Sequence, residues 1–509
     1  MTAHVVGLSL VAAAAVGGLA WAGSGGKKAE NPLNVSKTDT VAAASATGSA
    51  GKTGQLVVTG SSAYALSEDR SAVYEWTRGG WLKIGGPTTV LYSGIDCYSS
   101  LGQNPEADRS QIFKDGEQDK ADSSTDNCNL AARIVNRDTV MAVSAADGQL
   151  YRYEGTVNRA APGNWSPMGD PGAQVVTSRG NVYRLSADRS TVSVWTGRGT
   201  DWTPIGGPWQ TLYAGGAGLF ATSQSDGSIH QYDQQTGQWK RVGDPGAEFA
   251  VGTQELYGLA PDRSAVWALT VKLPAGAQTW PKAKVGEWRP VGGPAQRILA
   301  GRAGLFRIDP GTGDISRHSG LSWTVVGGPG ADFAVGRRLF GVSPDRSAVH
   351  RYISDDNAWR NTGAGFMTVP EKLKRVEELL QGGLGEFNRA REAVLEKGEP
   401  DIYGFNWGAN GCNAIKDRLK YAGIDFRPAC VRHDFGYRNY REILNEDGFR
   451  GGVPGLFDGS PKSAVDKRFR EDLNGLCAPD TPQGVAPKVD RPGCFAAAHL
   501  VYKAVDWWG

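Results

Sequence analysis

Apolar residues between about residue 55 and residue 365 come in short runs broken by turn-forming residues. One stretch shows the pattern: Ala247-Glu248-Phe249-Ala250-Val251, Glu255-Leu256-Tyr257-Gly258-Leu259, Ala265-Val266-Trp267-Ala268-Leu269 and Trp288-Arg289-Pro290-Val291. Runs this short between turns predict strands. After about residue 365 the period lengthens. Leu373, Val376, Leu379 and Leu380 share one side of a 3.6-residue repeat, behind the capping-box signature Thr368-Val369-Pro370-Glu371. Glu371 with Arg375, and Lys374 with Glu378, are spaced as ion pairs on that helix, and its cationic side reads as a solvated face. The change of period divides the chain into a β region over 55–365 and a mostly α-helical unit over 366–509.

The β region repeats. Trp, two or three residues, then Gly-Gly-Pro or Gly-Asp-Pro recurs at Trp81, Trp165, Trp202, Trp239, Trp288 and Trp323, with an echo from Trp359 to Gly363. Asp-Arg-Ser recurs at Asp69, Asp108, Asp188, Asp262 and Asp345, with Asp-Gly turns at Asp147 and Asp226, at a spacing of mostly 35 to 41 residues. Four short strands per unit of about 40 residues is the signature of a propeller blade. Eight such units can be counted when the gap from Asp262 to Asp345, about two periods long, is taken as holding one more, and the second, holding Cys97 and Cys128, lacks the tryptophan closure, so seven and eight blades fit equally. The tryptophans are expected to fill space between blades and the aspartates to cap turn N–H groups. The alternative is a repeated surface for glycans or lipid head groups, where several weak sites on a rigid ring add avidity. These motifs resemble those of tectonin-like and tachylectin-like propellers, whose Trp and Gly phrases are familiar in lectins.

At 509 residues the chain can bury two independent cores. A net charge of +2 without any block of like charge gives no field for nucleic acid, so no nucleic-acid partner is expected. The apolar stretch from Val5 to the Ala-x-Ala-like end at Ala20-Trp21-Ala22 reads as a signal peptide over 1–22, and hence a secreted protein. A single N-terminal membrane anchor is the competing assignment. Residues 23–54, rich in Gly, Ala, Ser, Thr and Lys, read as a flexible linker. The six cysteines form two groups without Cys-x-x-Cys zinc spacing, which predicts disulfides: Cys97 with Cys128, and two bridges among Cys412, Cys430, Cys477 and Cys494. Spacing leaves the pairing of the last four open; nearest neighbours, Cys412 with Cys430 and Cys477 with Cys494, are the simplest.

The densest chemistry lies in Cys430-Val431-Arg432-His433-Asp434-Phe435-Gly436-Tyr437-Arg438-Asn439-Tyr440. On a helix begun by Pro428, Cys430, His433, Asp434 and Tyr437 share a face. His433 carries the side chain poised to take a proton from water near pH 7. Asp466 shares a helical face with Phe469, Leu473 and Cys477, so it points inward and needs a partner. If it takes the hydrogen bond of one His433 nitrogen, it fixes the tautomer and stabilises the imidazolium. The alternative is that Asp466 only sits near its helix start, with Ser460 or Ser463 as cap. Asp434, turned about 100° from His433, cannot serve the same nitrogen but can hold a metal.

This segment, with Phe405-Asn406-Trp407-Gly408-Ala409-Asn410-Gly411-Cys412 before it and Val465-Asp466-Lys467-Arg468-Phe469-Arg470-Glu471-Asp472-Leu473 after it, resembles the bacterial and fungal secreted phospholipase A2 family. The resemblance covers the last quarter of the chain. It implies calcium-dependent hydrolysis of the sn-2 ester of glycerophospholipids at a membrane surface, with His433 as base, Asp466 as its orienting partner, and Asp434 as a Ca2+ ligand together with the loop before Cys412. The family has an aspartate where this chain has Asn410. Asn410 can offer its side-chain carbonyl and Gly411 its backbone carbonyl, but the lost carboxylate predicts weaker calcium binding. The expected protein is a secreted phospholipase A2 whose propeller targets a glycan- or lipid-bearing surface. The alternative, favoured by Asn410, is a catalytically weak or inactive lectin-like adhesin or effector.

Overall fold

A computed structural model describes residues 31–34, 51–94, 140–155, 162–271 and 285–508, apart from 61, 78–79, 321, 355–356, 398, 400, 413–418, 454–456, 458 and 479–489. The signal-peptide and anchor readings of the N-terminus, and the Cys97–Cys128 bridge, lie outside the described residues. No helix among the described residues is long and apolar enough to cross a membrane.

Among the described residues twenty-eight strands, β1 (Thr53–Thr59) to β28 (Ala358–Ala364), form seven antiparallel four-stranded sheets, each built from four consecutive strands. The illustrative unit folds as Glu248–Val251, Glu255–Leu259, Val266–Thr270 and Trp288–Gly292, close to the four runs read from the sequence. The count resolves to seven. Among the described residues β5 (Thr88–Ser93) pairs directly with β6 (Val140–Ser144) in one sheet, and the Asp108 unit lies outside the described residues. The ring closes where the Thr53 N–H donates to the Arg346 carbonyl at 2.9 Å and the Arg337 N–H to the Gly60 carbonyl at 2.7 Å. Leu33, inside the span read as a linker, is fully buried with Val57, Tyr64, Leu91 and Trp165.

Both repeated phrases are blade joints. The indole N–H of six of the seven closing tryptophans reaches the preceding blade's last strand: Trp165 to the Ile84 carbonyl (2.7 Å), Trp202 to Met168 (2.8 Å), Trp239 to Ile205 (3.0 Å), Trp288 to Val242 (2.8 Å), Trp359 to Val326 (2.7 Å) and, across the closure, Trp81 to the Thr362 hydroxyl (3.2 Å). Trp323 alone of the seven makes no such bond. Asp69, Asp188, Asp262 and Asp345 each accept the N–H of the serine two residues on, holding the intervening arginine at positive φ. That arginine reaches the next blade, as Arg70 does to the Thr89 carbonyl at 2.7 Å and Arg346 to the Thr53 carbonyl at 3.0 Å. The phrases thus serve packing and turns.

The closing glycine of the phrase is equally constrained. A Cβ on Gly327 would lie 2.6 Å from the indole nitrogen of Trp359. Gly327→Ala is therefore expected to destabilise the propeller by about 1–3 kcal/mol through overpacking, while Gly475→Ala, which meets nothing within 4 Å, stays neutral. Chemical denaturation of the two variants checks this.

The helical unit follows: α1 (Val369–Gln381), α2 (Leu384–Leu395), a small hairpin (Lys420–Tyr421 with Ile424–Asp425), α3 (Arg427–Gly451), α4 (Pro461–Leu476) and α5 (Arg491–Trp508). The capping box forms, with the Glu371 carboxylate accepting from the Thr368 N–H and hydroxyl, both at 2.7 Å. That occupies Glu371, and Arg375 pairs instead with Glu378 at 2.9 Å. The cationic side is not wholly solvated either. Lys372 is 4% exposed, near Arg351 of the last blade, Glu442 and Asp401, and burial pulls its ammonium down to about 8 despite the two acids. Phe366 anchors the junction to the propeller, stacking on Tyr74 at 4.3 Å and meeting Trp81 edge-on at 5.3 Å.

Candidate active site

The site is built on α3, about 37 Å long. Pro428 lies in its first turn, where its missing N–H costs nothing. α4 starts after Ser460, whose hydroxyl accepts the Ser463 N–H at 3.2 Å, so the predicted cap is present, yet Asp466 finds a partner beyond it. α3 and α4 approach closely because Gly436 presents no side chain: a Cβ there would lie 2.8 Å from Val465, the neighbour of Asp466.

His433 and Asp466 meet across this contact, with Nε2 3.0 Å from Oδ1. His433 is 7% exposed and held between the rings of Tyr437 (4.3 Å) and Phe469 (4.6 Å). Among the described residues none hydrogen-bonds Nδ1, which leaves that nitrogen to accept a proton. Asp466 has two further partners that the sequence reading did not assign. The Tyr437 hydroxyl donates to its Oδ1 at 2.6 Å and the Lys462 ammonium to its Oδ2 at 2.8 Å. Helical spacing could have found both, since Lys462 lies four residues before Asp466 and Tyr437 four after His433.

Burial alone would raise the Asp466 carboxyl, but the bonds from His433, Lys462 and Tyr437 outweigh it and hold it at about 2. A carboxyl depressed below its unfolded value adds stability that is complete above about pH 4 and lost as the pH falls through its folded pKa. In Lys462→Met, Asp466 is expected to protonate at a higher pH, closing that window from below. The 13C resonance of its carboxyl during acid titration reads the shift.

Asp434 stands beside the loop before Cys412, as expected, and its Oδ2 accepts the N–H groups of Asn410 (2.9 Å) and Gly411 (2.8 Å). α3 grips this loop again through Asn439, which accepts the Asn406 N–H at 2.8 Å and donates to the Asn406 carbonyl at 3.2 Å. Asp401 braces its start, accepting from the Tyr403 and Phe405 N–H groups and the Trp407 indole. Disulfides join Cys412 to Cys430 and Cys477 to Cys494.

The Asp434 carboxylate, the Asn410 amide and the Gly411 carbonyl are hard oxygen donors of the kind calcium takes, with one formal charge among them. Among the described residues no three His, Cys, Asp or Glu side chains cluster as a metal site. The donor types fit calcium, at low charge.

Residues 378–509 match the family model described as prokaryotic phospholipase A2. A secretory phospholipase A2 of Arthroderma benhamiae is 30% identical over 100 residues, 20% of this chain and 55% of the relative. One of Beauveria bassiana is 32% identical over 82 residues, 16% of this chain and 35% of the relative. The chain thus spans about half and about a third of the lengths of these relatives. Among solved structures, the CRINKLY WD40 ectodomain of an Arabidopsis thaliana receptor kinase aligns at 15% identity over 59% of this chain and 94% of that one, with a TM-score of 0.34. The chain is a seven-bladed propeller followed by a helical, disulfide-stapled phospholipase-A2-like domain.

Proposed function

We propose, from that phospholipase-A2-like domain, that this protein is a secreted phospholipase A2 acting on the sn-2 ester of glycerophospholipids at a membrane surface. The observation that carries this is the His433–Asp466 pair, 3.0 Å apart on two helices of the matched segment. Export is supported by two disulfides and by relatives described as secretory.

In this mechanism Nδ1 of His433 takes a proton from water as the oxygen attacks the ester carbonyl, and returns it to the departing lysophospholipid oxygen as the ester C–O bond breaks, leaving free fatty acid and neutral imidazole. Asp466 holds the Nε2 proton, fixes the tautomer and stabilises the imidazolium that forms. Tyr437 and Lys462 keep Asp466 ionised and aimed, while Tyr437 and Phe469 hold the ring plane. Asp434, Asn410 and Gly411 would hold calcium. When bound, calcium supplies a Lewis acid for the ester carbonyl and the phosphate.

The propeller is assigned to targeting a glycan- or lipid-bearing surface. Because its repeated tryptophans are engaged in blade joints, recognition would rest on other groups, of which Trp267, 39% exposed, is one.

The test is fatty-acid release from mixed phospholipid vesicles, with calcium titrated from chelator to millimolar excess. Wild-type release is expected to depend on calcium. Asn410→Asp restores a charge to the donor set and is expected to lower the half-saturating calcium on the order of tenfold. Asn410 also favours one other reading, a catalytically silent lipid-binding protein, and no release at any calcium concentration would decide for it.

A further inference from the structure

We propose that Arg432 and Asp472 form a clamp that positions His433 against Asp466, an inference that rests on the phospholipase reading of that pair. Arg432 precedes His433 on α3 and is 1% exposed. Its guanidinium grips Asp472 of α4 through two nitrogens, Nε at 2.8 Å and Nη2, while Nη1 donates to the carbonyl of Gly382, the C-cap of α1, at 2.7 Å. Arg468 of α4 donates to the same carbonyl at 3.0 Å and stands 3.3 Å from Asp472. Three helices are tied through one carboxylate and one carbonyl.

The geometry explains why a second link matters. Adjacent residues on α3 diverge by about 100°, and the six residues from Asp466 to Asp472 turn α4 by about 240° and advance it about 9 Å. The two cross-helix links are therefore separated both around and along the helices. A single His433–Asp466 hydrogen bond is a pivot about which α4 can roll; the second link removes that freedom. Close packing at Gly436 sets how near the helices come, but leaves roll and slide to the polar links. A forked arginine–carboxylate pair suits this task, since it fixes direction as well as distance. Buried ion pairs often contribute little net stability relative to apolar side chains of similar size, so geometry is the property this pair supplies.

The experiment uses the full-length chain carrying Arg432→Leu with Asp472→Leu, and separately Arg432→Lys, which keeps the charge and loses the fork. The double variant is expected to form both disulfides and keep the wild-type KM for phospholipid vesicles, while kcat falls about 100-fold, the cost of misplacing a catalytic group by about 1 Å. Arg432→Lys should fall between. A second readout needs no turnover: the 1H–15N imidazole signal of His433, assigned by its loss in His433→Gln, is expected to shift and broaden in both variants. An unchanged kcat with an unmoved imidazole signal overturns the clamp. If the wild type releases no fatty acid, the phospholipase reading fails and the imidazole signal alone decides the clamp. Should the double variant not fold, Arg432→Lys decides by the same two measurements.

Discussion

His433→Ala is expected to lower fatty-acid release from phospholipid vesicles by about 10²- to 10⁴-fold, the contribution of a positioned general base. The loss should appear in kcat, because the ring acts on the attacking water and not on lipid binding. His433 is buried between Tyr437 and Phe469, so alanine also leaves a cavity. His433→Gln, closer in volume and still able to donate to Asp466, separates the two effects: it should retain stability and lose activity to a similar degree. Vesicle binding by flotation should be unchanged in both. If either variant kept more than about a tenth of wild-type turnover, proton transfer would have to occur elsewhere in the molecule.

Reduction of the disulfides is expected to unfold the helical domain well before the propeller. The Cys412–Cys430 and Cys477–Cys494 bridges close spans of 18 and 17 residues. Loops of that size contribute about 3 kcal/mol each by constraining the unfolded chain, so losing both removes about 6 kcal/mol. A domain of this size has only about 5–15 kcal/mol in total. The expected result is a calorimetric transition of the helical domain lowered by more than about 15 °C in reductant, with the propeller transition nearly unmoved. Activity should disappear with the first transition, since Cys430 lies on the helix that carries His433 and its bridge restrains the Asn410–Gly411 loop. Two transitions that both stay in place under full reduction would mean that helix packing, not the bridges, holds the site.

How much of this was legible in the chain follows from the range of each interaction. Strand runs such as Glu255–Leu259 and the cap at Thr368 depend on neighbours a few residues away, and sequence spacing reports those directly. The same holds for the face shared by His433 and Tyr437, and nearest-neighbour pairing of the last four cysteines matched because the bridged segments are themselves close in sequence. The repeated Trp and Gly were visible as a period, but their use as joints needed a second blade.

The sequence by itself determined a repeating four-stranded unit, a switch to helices near residue 365 and a histidine–acid helix, because periodicity is a property of local backbone geometry. Only the tertiary structure decided the rest. The number of blades depended on β5 pairing with β6 across a long insertion, which no local period encodes. The burial of Lys372 depended on Arg351 and Glu442, brought to it from a distant strand and helix. The bonds of His433 and Tyr437 to Asp466, the amides that meet Asp434 and the grip of Arg432 on Asp472 all required α3, α4 and the 405–412 loop to be packed together. Contacts between groups far apart in the chain are selected by the whole core at once, and a single sequence shows the groups without showing which of them meet.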